Sequence, residues 1–199
     1  TTGQSVTLTT PINSDTSNNV TYTVTCTATF TKSDGTTGQA FGTGTYIATK
    51  ADETCFEKGT RILMSNGEEK EIQFINKGDS VLTWNFFTSQ YEEQKVAFVI
   101  DHGTRQYEIL KLHFSNGEDL SIIGDHGIFD YDLNKYVYIN IDNYNDYIGH
   151  NFVSYQNSSE YCLTKLVSGE VYLETTNAYS ITTEYNYNAI ANKLFTAPP

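Results

Sequence analysis

The stretch "KADETCFEKGTRILMSNGEEKEI", residues 50–72, separates two parts of the sequence that differ in composition. Upstream of it the chain is rich in threonine and alternates small polar with apolar residues, and downstream it becomes more mixed and more acidic. Cys55 lies at this junction and is followed directly by Phe56. Because the cysteine thiolate is a strong nucleophile, its position between two kinds of sequence makes the junction the first candidate for a functional site.

The upstream part has the pattern of half-buried β-strands. Residues 5–9, 20–31 and 43–49 alternate apolar with small polar side chains, which predicts strands. Asp34-Gly35 lies between the last two and is a hairpin turn signal. We expect an antiparallel β segment that resembles part of a bacterial immunoglobulin-like sandwich. Residues 1–54 are too few to complete such a domain, which needs about 100 residues.

The downstream part has the pattern of successive hairpins. Turn signals at Asn66-Gly67, Asn116-Gly117 and residues 132–134 each separate two apolar alternations. The one helix candidate is a single turn in "NIDNYNDYIG", residues 140–149, with Asp142 as its cap. The sequence therefore predicts an all-β chain: a compact fold of hairpins, preceded by the short immunoglobulin-like segment.

Charge and composition exclude several kinds of partner. The 199 residues carry a net charge of -12 with only 12 Lys and Arg residues in total and no basic cluster, which argues against binding to nucleic acid or to an anionic membrane surface. No apolar run has the length needed to span a bilayer. The three cysteines are too few and too scattered for a disulfide framework or a zinc site, so we expect no cofactor and no metal.

Composition also suggests where the protein acts. Few cysteines together with abundant Thr, Asn, Tyr and Gly are typical of bacterial surface proteins and phage structural proteins. The chain opens on Thr1-Thr2, which suggests a piece of a larger protein. We therefore expect an extracellular, cell-surface or virion location, within a larger surface or phage structural protein.

Three motifs in order give the downstream part a family resemblance. "CFEKGTRILMSNGEEKEIQFINKGDSVL", residues 55–82, resembles the N-terminal block of the Hint family, the self-processing domain of Hedgehog proteins, inteins and bacterial intein-like domains. "LHFSNGEDLSIIGDHGIFDY", residues 112–131, is similar to the second block, a hairpin that ends in a histidine, here His126. "AYSITTEYNYNAIANKLFTAPP", residues 178–199, is similar to the penultimate strand pair. Together the motifs span roughly residues 55–196.

The resemblance implies a domain boundary that is also a scissile bond. It makes residues 55–199 a Hint-like autoprocessing domain and residues 1–54 the upstream flank. Attack of the Cys55 sulfur on the carbonyl of Thr54 would convert the amide between them into a thioester. His126 occupies the place of the family histidine and would donate a proton to the departing nitrogen. Water or another nucleophile would then accept the acyl group and release the upstream part.

Two aspartates are further candidates for the chemistry. Asp101 follows Cys55 by about 46 residues, and in Hedgehog-type members of the family an aspartate at this spacing is thought to activate the second nucleophile. Asp101 is therefore a possible base, although Asp101-His102 could equally cap a hairpin. Asp125 precedes His126 and could assist the scissile peptide.

The sequence departs from the family pattern at two places. The second block usually reads Thr-x-x-His, and the threonine helps to position or polarise the scissile peptide, but here Ile123 takes its place. Unless Asp125 or Ser121 compensates, loss of one such donor slows the reaction on the order of a hundredfold or more. Inteins also end in His-Asn, whereas this chain ends in "KLFTAPP", residues 193–199. We therefore expect processing of the N-terminal side without full splicing.

Two other functions are compatible with the sequence. A Hint-like fold with degenerate chemistry could be a structural or adhesive module of a surface or virion protein, and Ile123 favours this alternative. The 15 tyrosines also allow an aromatic carbohydrate-binding module. Its patch would consist of Tyr136, Tyr138, Tyr144 and Tyr147, although strand tyrosines more often form cross-strand pairs.

Overall fold

The computed structural model describes residues 20–48 and 54–197. Contacts divide the chain into two compact units, Thr1–Asp52 and Glu53–Pro199. The described residues of both form antiparallel strands and contain no α-helix, which confirms the all-β class. Within these residues no helix has the length and apolar character needed to cross a membrane.

The described part of the first unit is a hairpin. Strand β1 (Val20–Thr31) pairs with β2 (Thr37–Ala48) in a continuous register from Val20↔Ala48 to Thr31↔Thr37. The predicted turn forms because Asp34 accepts hydrogen bonds from the backbone and hydroxyl of Thr36. The predicted strand 20–31 is confirmed, and β2 begins six residues before the predicted start at 43. The expected strand at residues 5–9 lies outside the described residues, and the immunoglobulin-like interpretation stays a prediction.

The second unit is a twelve-stranded sheet whose strands run along the chain as β3 to β14. Their bounds are β3 Cys55–Glu57, β4 Arg61–Leu63, β5 Glu69–Glu71, β6 Ser80–Asn85, β7 Gln90–Phe114, β8 Asp119–Ile123, β9 His126–Asp130, β10 Lys135–Ile139, β11 Asn151–Asn157, β12 Glu160–Thr183, β13 Ala189–Ala191 and β14 Leu194–Ala197. Single 3₁₀ turns occur at Ile72–Phe74 and Tyr144–Tyr147. The strand order is β5-β4-β13-β14-β9-β11-β12-β3-β8-β7-β6, with β10 on β9 and further pairings of β14 with β11 and of β12 with β7.

Two long strands organise this sheet. Strand β7 has 25 residues and β12 has 24, and they pair from Leu166↔Phe114 to Thr183↔Val96. Strand β7 contains Gly103 in its interior. In the structure Gly103 adopts φ 78° and forms a bulge between the pairs Asn177↔Thr104 and Tyr179↔Asp101, so the strand bends without ending.

The polar turns that the sequence marked between strands are confirmed, but the helix cap is different. The turns at Asn66-Gly67 and Asn116-Gly117 join β4 to β5 and β7 to β8. Asp142 does not cap the 3₁₀ turn, which has Asn143 at its N-cap position. The side chain of Asn140 instead accepts hydrogen bonds from the backbone of Asp142 and Asn143. An amide oxygen two residues upstream satisfies these donors as a carboxylate would.

The apolar faces of these strands enclose one large core and two satellites. The large core includes Phe152, which is fully buried and contacts Phe114 edge-on at 5.7 Å between ring centroids. One satellite surrounds Cys55, and the other is aromatic and lies near Trp84 and Phe195.

The four tyrosines of the expected carbohydrate patch fall into different environments. Tyr144 and Tyr147 pack against the large core. Tyr136 contacts Phe86 and Phe129, and its hydroxyl is buried. Only Tyr138 is exposed, so the four side chains do not form one aromatic surface.

Truncation of the largest buried ring should destabilise the second unit. We expect Phe152→Ala to lower its free energy of unfolding by about 3–5 kcal/mol, because the change removes an aromatic ring from a close-packed core. Urea unfolding followed by the fluorescence of Trp84, the single tryptophan, measures this unit. The matched control is Phe87→Ala, since Phe87 is fully exposed, and its effect should stay within about 0.5 kcal/mol. Equal losses in the two variants would contradict the assignment of Phe152 to the core.

Candidate functional site

Cys55 is the first residue of β3 and is completely buried. Its strand lies between β8, where Ile123 is its register partner, and β12. Tyr107, Ile109, Ile123 and Ala178 surround it in the smaller satellite core. This burial raises the pKa of the thiol to about 11, and a contact with Ser180 opposes the rise. The resting thiol is therefore protonated at neutral pH.

The peptide bond before Cys55 is held by a serine from β12. The Ser180 hydroxyl donates a hydrogen bond to the carbonyl oxygen of Thr54 at 2.7 Å. The same Oγ lies 3.7 Å from the Cys55 sulfur. A hydrogen bond to a carbonyl oxygen polarises it toward nucleophilic attack. The arrangement therefore places an activated carbonyl next to a thiol in the same dipeptide.

His102, in the β7 bulge, contacts this serine. His102 Nε2 lies 3.0 Å from Ser180 Oγ. Burial lowers the pKa of His102, and the neighbouring Asp101 charge raises it by less. The phenol of Tyr107 donates to the carbonyl oxygens of both His102 and Gly103. The bulge is thus tied to a ring that also packs against Cys55, which fixes the direction of the His102 side chain.

His126 begins β9 and forms another wall of the site. Its ring stacks on Phe56 with 3.9 Å between centroids, and the side chain is buried. Burial lowers the pKa of His126 to about 4, and a hydrogen bond to the backbone carbonyl of Ala197 raises it by less. Nδ1 has no hydrogen-bond partner, so the bond to Ala197 places the proton on Nε2 of the neutral ring. At rest Nδ1 is a proton acceptor.

A small cavity lies beside Thr54, Ser180 and His126. It has a volume of about 20 Å³ and is lined by Thr54, Phe56, His126 and Ser180 together with residues of β12 to β14. A space of this size holds about one water molecule. Thr54, Ser180 and His126 therefore face one common space.

The structure brings together some of the residues expected from the sequence and separates others. Thr54 and His126 line the cavity, and Cys55 contacts Ser180, another residue of its wall. Asp101 accepts hydrogen bonds from the backbone of Gly103 and the side chain of Asn177, and neither bond reaches the thiol. Asp101-His102 also lies inside β7 and does not cap a hairpin.

Asp125 is held by a different part of the fold. Its carboxylate accepts a hydrogen bond of 2.5 Å from the side chain of Asn140, at the end of β10. Ser121, the other residue considered for the missing threonine, makes its hydrogen bond with Tyr172. Neither residue takes the place of the threonine at the Thr54 carbonyl.

Ser180 is the residue that sequence reasoning missed. It lies 126 positions from Thr54. Its strand contains many other Ser, Thr and Asn residues, and nothing in this pattern distinguishes Ser180 from a solvent-facing one. The only signal was its place in "AYSITTEY", inside the third family-like motif. Ile123, in contrast, packs directly beside Cys55 and helps to desolvate the thiol. The carbonyl donor therefore comes from β12 and not from the strand before His126.

One group of possible metal ligands occurs among residues 54–197. Ligand atoms of Asp130, Asp132 and His150 lie within 4.8 Å of one another. The buried Asp130 carboxylate accepts from His150 Nδ1 at 2.7 Å and from the backbone of Leu133. Asp132 accepts from the backbone and side chain of Asn151. These oxygen atoms join the β9–β10 turn to β11, so the group has a structural explanation.

Solved structures share this fold. The DnaB intein from Synechocystis sp. PCC 6803 matches with a TM-score of 0.59 at 14% identity, covering 74% of this chain and 99% of the intein. The bacterial intein-like domain from Clostridium thermocellum matches with a TM-score of 0.58 at 18% identity, covering 72% and 98%. The DnaX mini intein from Spirulina platensis matches with a TM-score of 0.60 at 22% identity, covering 73% and 100%. The Hint-like fold that the motifs predicted is thereby confirmed.

Comparisons of sequence alone do not reach this result. No protein-family model and no curated protein matches the sequence.

The burial of Cys55 predicts low reactivity toward external reagents. In the uncleaved folded chain, we expect iodoacetamide at neutral pH to modify Cys162, which is partly exposed, at least about tenfold faster than Cys55, because thiolate content and access limit alkylation. Peptide mapping by mass spectrometry gives the two rates. In urea the rates should converge, and the folded-state rate at Cys55 should rise with pH. Equal rates in the folded chain would be inconsistent with a buried thiol.

The neutral, buried His126 predicts loss of stability in acid. Its native pKa of about 4 lies below the ordinary histidine value of 6.5, so below pH 6.5 the unfolded chain binds more protons and the free energy of unfolding falls toward pH 4. The loss at this one site is at most about 3 kcal/mol. Urea unfolding of the wild type and of His126→Phe across this pH range measures it. The variant should have a flatter pH dependence, and parallel curves would refute the assignment.

Proposed function

We propose that the second unit is a self-processing domain that cleaves its own chain between Thr54 and Cys55. The observation that carries the proposal is the Ser180 hydroxyl, which hydrogen-bonds the Thr54 carbonyl at 2.7 Å and lies 3.7 Å from the Cys55 sulfur. The fold supports it, because similar solved structures are inteins and an intein-like domain. A hydrogen-bonded carbonyl directly before a cysteine at the start of such a fold is the arrangement that an N-to-S acyl shift requires.

The reaction begins with an intramolecular attack. The Cys55 sulfur adds to the Thr54 carbonyl carbon through a five-membered ring that contains the sulfur, Cβ, Cα, nitrogen and carbonyl carbon. Because attacker and target are in one dipeptide, no entropy of association is lost in this step. The charge that develops on the carbonyl oxygen is stabilised by the Ser180 hydroxyl already bonded to it.

Collapse of the tetrahedral intermediate needs a proton on the departing nitrogen. His126 is the candidate donor, since it lines the cavity with Thr54 and has an unpartnered Nδ1. Its pKa of about 4 makes the protonated ring a strong acid but a rare species at neutral pH. His126 would therefore acquire a proton during the reaction and pass it to the Cys55 nitrogen, leaving the upstream chain as a thioester on sulfur.

The thioester then reacts with water or another nucleophile, and the upstream segment is released from residues 55–199. The cavity of about 20 Å³ next to Thr54 is large enough to admit one water molecule. In a surface or virion protein, which is the location we propose from composition, this step would separate the upstream part from the Hint-like unit after folding.

A second candidate function is a structural module with the same fold and no cleavage. The observation that favours it is the complete burial of Cys55 beside Ile123, with the pKa of the thiol raised to about 11. A thiol in this state is a poor nucleophile unless the site provides a route for its proton.

Intact-mass measurement separates the two functions. The full chain is purified in denaturant, refolded, and incubated with and without hydroxylamine or a strong thiol, which intercept a thioester. We expect two fragments divided at 54/55 and faster release with the added nucleophile, and Cys55→Ala should stay intact. Cys162→Ala is the matched control and should cleave as the wild type does. A wild-type chain that remains whole in every condition would exclude self-processing and favour the structural module.

A further inference from the structure

The proposed self-processing leaves one step unexplained, namely how a buried thiol loses its proton. With a pKa of about 11, on the order of one Cys55 thiol in ten thousand is ionised at neutral pH. Ile123, Tyr107 and Ala178 surround the sulfur with apolar surface, and Ser180 Oγ is the polar side-chain atom in contact with it. Any route for the thiol proton through this part of the chain therefore begins at Ser180.

The hydrogen-bonding capacity of Ser180 determines the direction of each contact. A hydroxyl has one hydrogen to donate and two lone pairs that accept. Its hydrogen is directed to Thr54 O, at 2.7 Å. While that hydrogen is on Thr54 O, the ring N–H of His102 donates to Oγ across the 3.0 Å contact. The hydroxyl can also turn its hydrogen to the Cys55 sulfur, its acceptor at 3.7 Å, and Oγ accepts the thiol hydrogen while the hydroxyl is bonded to Thr54 O. The serine thus connects the acidic hydrogen of Cys55 to the carbonyl oxygen that needs it.

We propose that Ser180 is a catalytic residue that relays the thiol proton of Cys55 to the carbonyl oxygen of Thr54 while the sulfur attacks the carbonyl carbon. This inference rests on the proposed self-processing function. It assigns to Ser180 the proton transfer of the first step, which none of the residues expected from the sequence performs.

The step balances in atoms and charge. The S–H bond of Cys55 breaks and its proton bonds to Ser180 Oγ, while the original Ser180 proton bonds to the Thr54 oxygen. The C–S bond forms and the π bond of the carbonyl opens. The product is a neutral tetrahedral carbon that carries hydroxyl, sulfur and the Cys55 nitrogen. In the next step the C–N bond breaks and the carbonyl re-forms, so the proton that leaves oxygen is balanced by the one that nitrogen gains.

His102 is a positioning residue in this scheme. Its Nε2–H donates to Ser180 Oγ and stabilises the negative charge that develops there during the transfer. The β7 bulge and the Tyr107 hydroxyl hold the backbone of His102 in place. Because His102 donates to Oγ and does not accept the thiol proton, the relay forms no free thiolate and no imidazolium.

The titratable groups near the relay lie on three strands. The β8 neighbour of Cys55 is the uncharged Ile123, so that strand adds none. The titratable groups that contact the thiol or Ser180, share the cavity with Ser180, or adjoin such a residue are Asp101, His102, Arg105 and Tyr107 on β7, Tyr172 and Tyr179 on β12, and His126 on β9.

The test compares how cleavage rates depend on pH in two chains that differ only in the relay. Wild type and Ser180→Ala are refolded from denaturant between about pH 6.5 and pH 8.5, and the 54/55 products are followed by mass. An added thiol is present at a concentration beyond which the rate no longer increases, so that the acyl shift and not the capture of the thioester is measured. A direct thiolate attack accelerates about tenfold per pH unit below the thiol pKa, whereas a relay from the protonated thiol does not. We expect a wild-type rate that does not rise with pH. Ser180→Ala should be slower on the order of a hundredfold at pH 7 and should gain a rise of about tenfold per unit.

A second pair of variants separates the hydroxyl from its volume. Ser180→Thr keeps the hydroxyl and Ser180→Val removes it at nearly the same size, so the Thr variant should retain the flat profile and the Val variant should show the steep one. Thr175→Ala removes an exposed hydroxyl from the same strand and should match the wild type. Trp84 fluorescence verifies that each variant is folded.

Each outcome bears on the two proposals differently. Cleavage that depends on Cys55 but has the same pH slope with and without the Ser180 hydroxyl would overturn the relay and leave self-processing in place. A wild-type rate that itself rises about tenfold per unit would do the same, since the thiolate would then be the attacking species. If the wild type yields no fragments at all, both proposals are rejected.

Discussion

The antiparallel pairing of β7 with β12 is the constraint on which the rest of the second unit depends. These two strands pair over most of their length, and β3, β6, β8 and β11 attach to one or the other of them. The pairing also sets the positions of the chemical groups. One of the three register shifts in this pairing, between Asn177↔Thr104 and Tyr179↔Asp101, lies where His102 contacts Ser180. A shift of one residue in this pairing would turn Ser180 to the other face of its strand.

Burial and reactivity oppose each other at Cys55. The apolar neighbours that complete its satellite core also raise the pKa of the thiol, because a thiolate would lose its hydration there. Burial lowers the pKa of His126 for the same reason, because it favours the neutral ring over the charged one. Burial thus keeps both the Cys55 thiol and the His126 ring in uncharged forms. Chemistry under these conditions favours proton transfers between hydrogen-bonded neighbours over the formation of separated ions.

Sequence patterns predicted the local features of this protein better than its long-range ones. Asn-Gly turns and strand alternation located most of the hairpins, because turn chemistry and side-chain direction are decided by adjacent residues. Strand β11 and the first half of β12 were missed, since their many polar residues break the alternation. Their assignment as strands comes from pairing with β7, β9 and β14, which is tertiary information.

The same difference between local and long-range information decides which residues of the candidate site could be predicted. Cys55 and His126 could be found because each lies within a contiguous motif that resembles a known family. Ser180 could not, because its importance comes from a hydrogen bond to a residue 126 positions away. Asp101 illustrates the converse: its spacing from Cys55 suggested chemistry, yet its carboxylate holds the bulge through Gly103 and Asn177. Spacing along the chain locates a residue on a strand, but the register between strands decides what it contacts.

The hydrogen bond between His126 and the carbonyl of Ala197 has a consequence for timing during synthesis. Thr54 and Cys55 are made before Ser180, which follows on β12, and the carbonyl that accepts from the His126 ring belongs to the last described strand, β14. A ribosome adds about 5–20 residues per second, so several seconds separate the translation of Cys55 from completion of its surroundings. Under the proposed function, the upstream segment stays covalently attached until the whole downstream unit has emerged and folded. Release would then report that translation has passed β14, and a product truncated before this strand would keep its two parts joined.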